Sequence, residues 1–189
     1  MDDLATMLNK EGYETLNIPY PSFRKSLDDI VTGVSKAIPP SQKPTHFVTH
    51  SMGGIVLRCL ARTSPEMMTG RIVMLAPPNQ GSEIIDWLRG SLVGRTIFGP
   101  GGMDLNTRSV RESVPEFDDS LEVSVIMGNR GRIPFLSSLL DDENDGIVSV
   151  AGGRVGGMKH FDVIDADHTL IMNHREARRL ILERLGHSS

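Results

Sequence analysis

The sequence holds a single cysteine, Cys59, in 189 residues, so no internal disulfide can form. Its histidines and that cysteine nowhere fall at zinc-ligand spacing, which leaves no metal motif. No apolar run reaches the length of about 18 residues that reads as a membrane span. Positive charge is not in excess either: 20 Lys and Arg against 24 Asp and Glu give a net charge of −4, which argues against a nucleic-acid binder. Met1-Asp2-Asp3 is acidic rather than basic-then-apolar, so no secretory leader is read and a cytoplasmic location is the default expectation. Internal repeats and low-complexity tracts are absent. What remains is a globular composition, 39% hydrophobic and 23% charged, which excludes a disordered chain. The length favours one domain over residues 1–189 with a sizeable core.

Periodicity supplies the elements. Asp2 or Asp3 caps a short helix bearing Leu4, Met7 and Leu8, ended by Gly12. Tyr13 to Ile18 reads as a short strand stopped by Pro19 and Pro21. Ser22 is a good cap for a second helix, whose stripe of Leu27, Ile30, Val31, Val34 and Ile38 closes at Pro39-Pro40. Strands are expected at Thr45 to His50, Arg71 to Leu75, Leu121 to Met127 and His160 to Ile164, with helices from Met52 to about Arg62 and from His174 to Leu185. Strands alternating with helices imply an α/β fold with a mostly parallel sheet covered on both faces. Gly81 to Glu116 breaks the alternation and reads as a lid-like insertion. Its Trp87, Leu88, Leu92, Ile97 and Phe98 either wall a pocket above the sheet or pack on the core.

The most informative segment is Thr45-His46-Phe47-Val48-Thr49-His50-Ser51-Met52-Gly53-Gly54-Ile55-Val56. Ser-x-Gly alone arises by chance about once per 200 residues. Between a buried strand and a helix it means more. A serine there must turn sharply, which thrusts its Oγ out at the C-terminal edge of the sheet. The same turn aims the first helical N–H groups at that spot. A plain helix cap is the competing reading of Ser51. The block resembles the nucleophile elbow, G-x-S-x-G, of α/β-hydrolase lipases and esterases, with Thr49 standing where the first glycine is expected. Leu75-Ala76-Pro77-Pro78-Asn79-Gln80-Gly81-Ser82 resembles the segment after the next strand in small bacterial lipase-like hydrolases.

A serine needs a base, and the base needs a carboxylate to hold its tautomer. The resemblance implies the chain order Ser, acid, His, each following a strand. Asp145-Gly146 is a turn pair anchored by Ile147-Val148, and Asp-Gly-x-Val resembles the acid loop of this lipase group, so Asp145 is the expected acid. An Asx turn serving only the backbone is its plainer reading, and Asp142 is the fallback. His168, just past the last strand, is the expected base, with neighbouring Asp167 a rival acid. His50 is read as pointing to the sheet side by alternation and as the family's ordinary filler. His46, His160, His174 and His187 sit on strand, helix or tail positions.

The resemblance also implies an oxyanion hole. One donor is the backbone N–H of Met52. The other would come from a His-Gly loop ahead of the Asp2–Lys10 helix, after a strand that sits beside Thr45–His50 in the sheet. No such segment is present, so the expectation is a piece of a longer protein, unless Tyr13–Ile18 pairs directly with Thr45–His50. The implied function is a serine hydrolase of small-molecule or lipid carboxylic esters, acting through Ser51, His168 and Asp145 without metal or cofactor. Acyl transfer by the same residues, and an inert domain lacking its second oxyanion donor, are the alternatives. No nucleic-acid partner and no stable membrane insertion are expected.

Overall fold

Each helix forms where apolar residues recur at helical spacing and stops where the backbone must change direction. A computed structural model describes residues 1–21, 25–82, 107–131 and 143–186. Helix α1 (Asp2–Lys10) has acidic residues in its first turn and Lys10 in its last, the order a helix dipole favours. It buries Leu4 and Leu8 and gives way to Gly12 at φ 89. Helix α2 (Leu27–Ala37) is capped by Ser26, whose Oγ accepts from the Asp29 N–H at 3.3 Å. The cap expected from sequence, Ser22, lies outside the described residues. Strand β1 (Phe47–His50), helix α3 (Met52–Thr63), strand β2 (Ile72–Leu75), helix α4 (Thr107–Ser113), strands β3 (Val123–Gly128) and β4 (Met158–Ile164), and helix α5 (Arg175–Leu185) complete the order.

The four strands pair in sequence order, β1-β2-β3-β4, and every pair is parallel. Side chains alternate between the faces of a strand, and the core divides accordingly. Ile72 and Met74 of β2 join Ile30 and Val31 of α2 and Ile55, Val56 and Leu60 of α3. Val73 and Leu75 join Leu4 and Leu8 of α1 and Ala177, Leu180 and Ile181 of α5. Helices α2 and α3 therefore cover one face, and α1 and α5 the other. Every residue of β2 and β3 is buried, as a parallel sheet covered on both sides requires. Of the expected insertion, residues 83–106 lie outside the described residues, including Trp87, Leu88, Leu92, Ile97 and Phe98; its described end is α4 with buried Val110. No helix among the described residues is long and apolar enough to cross a membrane.

The expected strand from Tyr13 to Ile18 does not form. Its apolar positions 13, 16 and 18 cannot share one strand face, so no register buries all three. Leu16 is 59% exposed. Thr15 Oγ1 instead meets Asn9 Oδ1 at 3.0 Å, and Asn17 Nδ2 donates to Asp2 Oδ1 at 2.6 Å, tying the segment to α1. Tyr13 alone reaches β1's approach, its ring edge-on to His46 with centroids 6.0 Å apart. Direct pairing of this segment with β1 is thus excluded. Rather than lying inside the sheet, β1 is its edge among the described residues, and its four residues are half-buried.

These contrasts set a stability test. Ile126→Ala in the centre of β3 should cost about 2–5 kcal/mol. Leu16→Ala should stay within about 0.5 kcal/mol. Urea unfolding of the two variants measures both, and equal losses would show residues 13–18 packing as a core strand.

Candidate active site

Strand β1 ends at His50 and helix α3 begins at Met52, so Ser51 alone makes the turn. It does so at φ 52, ψ −125. Among the described residues only Ser51 and Ala76 combine a side chain with positive φ. Such a conformation costs on the order of 1–3 kcal/mol and persists only where the surroundings determine it. Here the Ser51 N–H donates to Leu75 O at 2.9 Å, the last rung toward β2, while Ser51 O accepts from the Gly54 N–H at 2.9 Å. The helix start then packs close to the sheet. A Cβ on Gly54 would sit 2.5 Å from Met74 Cε and 2.9 Å from Pro77 Cβ, and one on Gly53 would sit 3.3 Å from Thr49 Cβ. Gly53 therefore makes the room that Thr49 takes in place of a glycine before the serine, and Gly54 the room for Met74 and Pro77. The Met52 N–H opens the first turn of α3, where no helical carbonyl can accept from it.

The strand ends of β3 and β4 supply the partners. Past β4, Asn129 N–H donates to Ile164 O at 3.1 Å and Arg130 N–H to Ala166 O at 3.1 Å, so the two chains stay zipped beyond the sheet. His168 follows at once, 9% exposed, with its N–H donating to Asp145 O at 3.0 Å. Asp145 is 1% exposed. Its Oδ1 accepts from the N–H groups of Ile147 (3.0 Å) and Val148 (2.8 Å), and its Oδ2 lies 2.8 Å from His168 Nδ1. His168 Nε2 lies 2.9 Å from Ser51 Oγ. A carboxylate only accepts, so Nδ1 carries the proton and Nε2 offers its lone pair to the serine hydroxyl. The Asx turn and the contact to His168 are thus both made by Asp145, one oxygen each.

Ser51, His168 and Asp145, expected from sequence, are brought together. The rival Asp167 accepts at Oδ1 from the N–H groups of Thr169 and Leu170, both at 3.1 Å, and so shapes the turn after His168. Asp142 and His187 lie outside the described residues. His46 accepts at Nδ1 from the Arg71 N–H at 3.0 Å, His160 lies on β4, and His174 precedes α5. His50 departs from its expected role as filler. Its Nε2 lies 2.8 Å from His168 O, and the two rings stand 5.1 Å apart. Burial, and next the neighbouring His168, push its pKa down to about 4.

Sequence reasoning also missed a brace behind the site. Arg58, in the middle of α3, is 2% exposed. It donates to Pro115 O (2.8 Å), Asn79 O (2.7 Å) and Val114 O (3.2 Å). Asn79 passes the link on, Nδ2 to Gly153 O at 2.8 Å, and Ser82 Oγ donates to Ile147 O at 2.9 Å. The elbow helix is thereby tied to the loop that holds Asp145. The available signal was an arginine surrounded in sequence by the apolar residues of α3.

No protein-family model and no curated protein sequence matches the chain. Solved structures do. A Bacillus licheniformis lipase in its mature form superposes with a TM-score of 0.64 at 18% identity, covering 84% of this chain and 69% of the lipase. A metagenomic carboxyl esterase gives 0.77 at 19% identity, covering 90% of this chain and 59% of the esterase. A Legionella pneumophila phospholipase gives 0.61 at 22% identity, covering 80% of this chain and 42% of the phospholipase. The chain therefore spans about three fifths of the esterase and two fifths of the phospholipase.

The depressed pKa of His50 predicts a pH dependence. Unfolded, this imidazole takes its proton near 6.5; folded, near 4. Between those values the unfolded state binds the extra proton, so stability falls as pH drops from about 6.5 to about 4. The contribution is about 3 kcal/mol in full. His50→Gln removes the titration, and its thermal midpoint should decline less steeply over that window than that of the parent. Parallel curves would refute the assignment.

Proposed function

We propose that this chain, which has the α/β-hydrolase fold, is a serine hydrolase acting on small-molecule or lipid carboxylic esters. The observation that carries the reading is the continuous path from Ser51 Oγ through His168 to Asp145, 2.9 Å and 2.8 Å long at its two steps. Lipase, carboxyl esterase and phospholipase neighbours support the substrate class. In this mechanism Ser51 Oγ attacks the ester carbonyl while His168 Nε2 takes its proton. Asp145 keeps the Nδ1–H tautomer and stabilises the imidazolium. The Met52 N–H donates to the carbonyl oxygen as it gains charge, at the positive end of α3. His168 then returns the proton to the leaving alcohol. A water, deprotonated by the same nitrogen, releases the acyl group and regenerates Ser51. The chemistry calls for no metal and no organic cofactor.

Two measurements test it. A fluorophosphonate should label the folded protein at Ser51, and a folded preparation left unlabelled would overturn the reading. Ser51→Ala and His168→Ala should each lower hydrolysis of a p-nitrophenyl ester by about 10³-fold or more, and the double variant should be no worse than either. Losses that multiply would mean that the two residues do not act in one step.

A further inference from the structure

We propose that His50 is a positioning residue for His168, its Nε2–H bond to the His168 carbonyl holding the base on the nucleophile's strand through the part of the cycle when Ser51 cannot. The proposal rests on the hydrolase reading above and goes beyond it. The carbonyl only accepts, so the 2.8 Å contact fixes the proton on His50 Nε2. Burial keeps that ring neutral at ordinary pH, with its pKa near 4, so the donor is permanent where ester hydrolysis runs.

The geometry gives this bond a particular place. His50 is joined to Ser51 by a peptide bond. Ser51 Oγ reaches the His168 ring, and His50 reaches the His168 main chain. Two adjacent residues of the elbow thus grip one residue of the base loop at two points. On its other side the His168 N–H is held by Asp145 O at 3.0 Å. In the resting enzyme the Ser51 link helps to place the ring. Once Ser51 is acylated, Oγ is an ester oxygen without a proton and that link is gone. Asp145 and His50 are then what remains to aim Nε2 at the incoming water. A shift of about 1 Å in such a group can cost on the order of 100-fold in rate. The His50 bond should therefore matter most in deacylation.

The test uses the full chain with p-nitrophenyl acetate and a fluorophosphonate, for the parent and for His50→Phe, His50→Asn and His50→Gln. Glutamine carries an N–H at the ε position and can restore the bond; asparagine is one atom short, and phenylalanine has no donor. His50→Phe and His50→Asn should lower kcat by about 10- to 100-fold with KM changed by no more than about 3-fold. Their pre-steady-state burst should grow relative to turnover, and fluorophosphonate labelling should slow less than kcat does. His50→Gln should recover to within a few-fold of the parent. Circular dichroism and thermal melts select the folded variants; if His50→Phe does not fold, the Asn–Gln pair decides. Folded Asn and Gln variants with equal kcat, whether both high or both low, would overturn the proposal. So would equal slowing of labelling and turnover. A folded parent that neither turns over the ester nor takes the label would instead sink the hydrolase reading, and the proposal with it.

Discussion

Ser51 is held at φ 52, a backbone state that an L-residue leaves unless its neighbours forbid it. That constraint organises much of what surrounds it. The last rung to Leu75 O pins one side of the turn and the Gly54 N–H the other. Glycines at 53 and 54 let α3 press onto β2 and onto Thr49. Arg58, about two turns past Ser51 on α3, donates to three main-chain carbonyls of other segments and pairs with the Glu116 carboxylate at 3.5 Å. The strain at one residue is sustained by a helix, a strand and a buried cation together, which is why the hydroxyl has one direction to point.

The acid side is built differently. Asp145 needs no strained backbone, because its carboxylate is satisfied from three directions: two N–H groups of its own turn and the imidazole of His168. Burial at 1% exposure would be costly for a lone charge. Here every hydrogen bond that offsets the cost also fixes an angle. Orientation of the His168 ring is thus a by-product of making a buried carboxylate tolerable.

What the sequence shows of this depends on how local the cause is. Helix α1 was legible because Leu4 and Leu8 repeat at helical spacing between acidic and basic ends. The elbow was legible because strand, serine and glycines are contiguous. The Tyr13–Ile18 reading failed because β-compatible residue types were counted without asking whether 13, 16 and 18 could face one way. Thr49 looked like a misfit because its compensation, Gly53, was taken as part of a motif rather than as space. His50 and Arg58 stayed hidden for a common reason. Both bond to main-chain carbonyls, and a carbonyl leaves no mark in the choice of residue; His50's partner is also 118 positions away. His168 and Asp145 were reachable only because the resemblance supplied their order, since nothing within the chain relates position 51 to position 168.

The same separation has a kinetic meaning. Among the described residues, Ser51 lies just after the first strand of the sheet and His168 just after the last, with three parallel pairings between those strands. Parallel strands meet only after long crossovers close, which makes them slow to assemble. Without β4 and the loop after it, Ser51 Oγ lacks its 2.9 Å contact to His168 Nε2. Any reactivity of Ser51 that depends on His168 therefore requires both ends of the described sheet to be in place, because that one contact joins them.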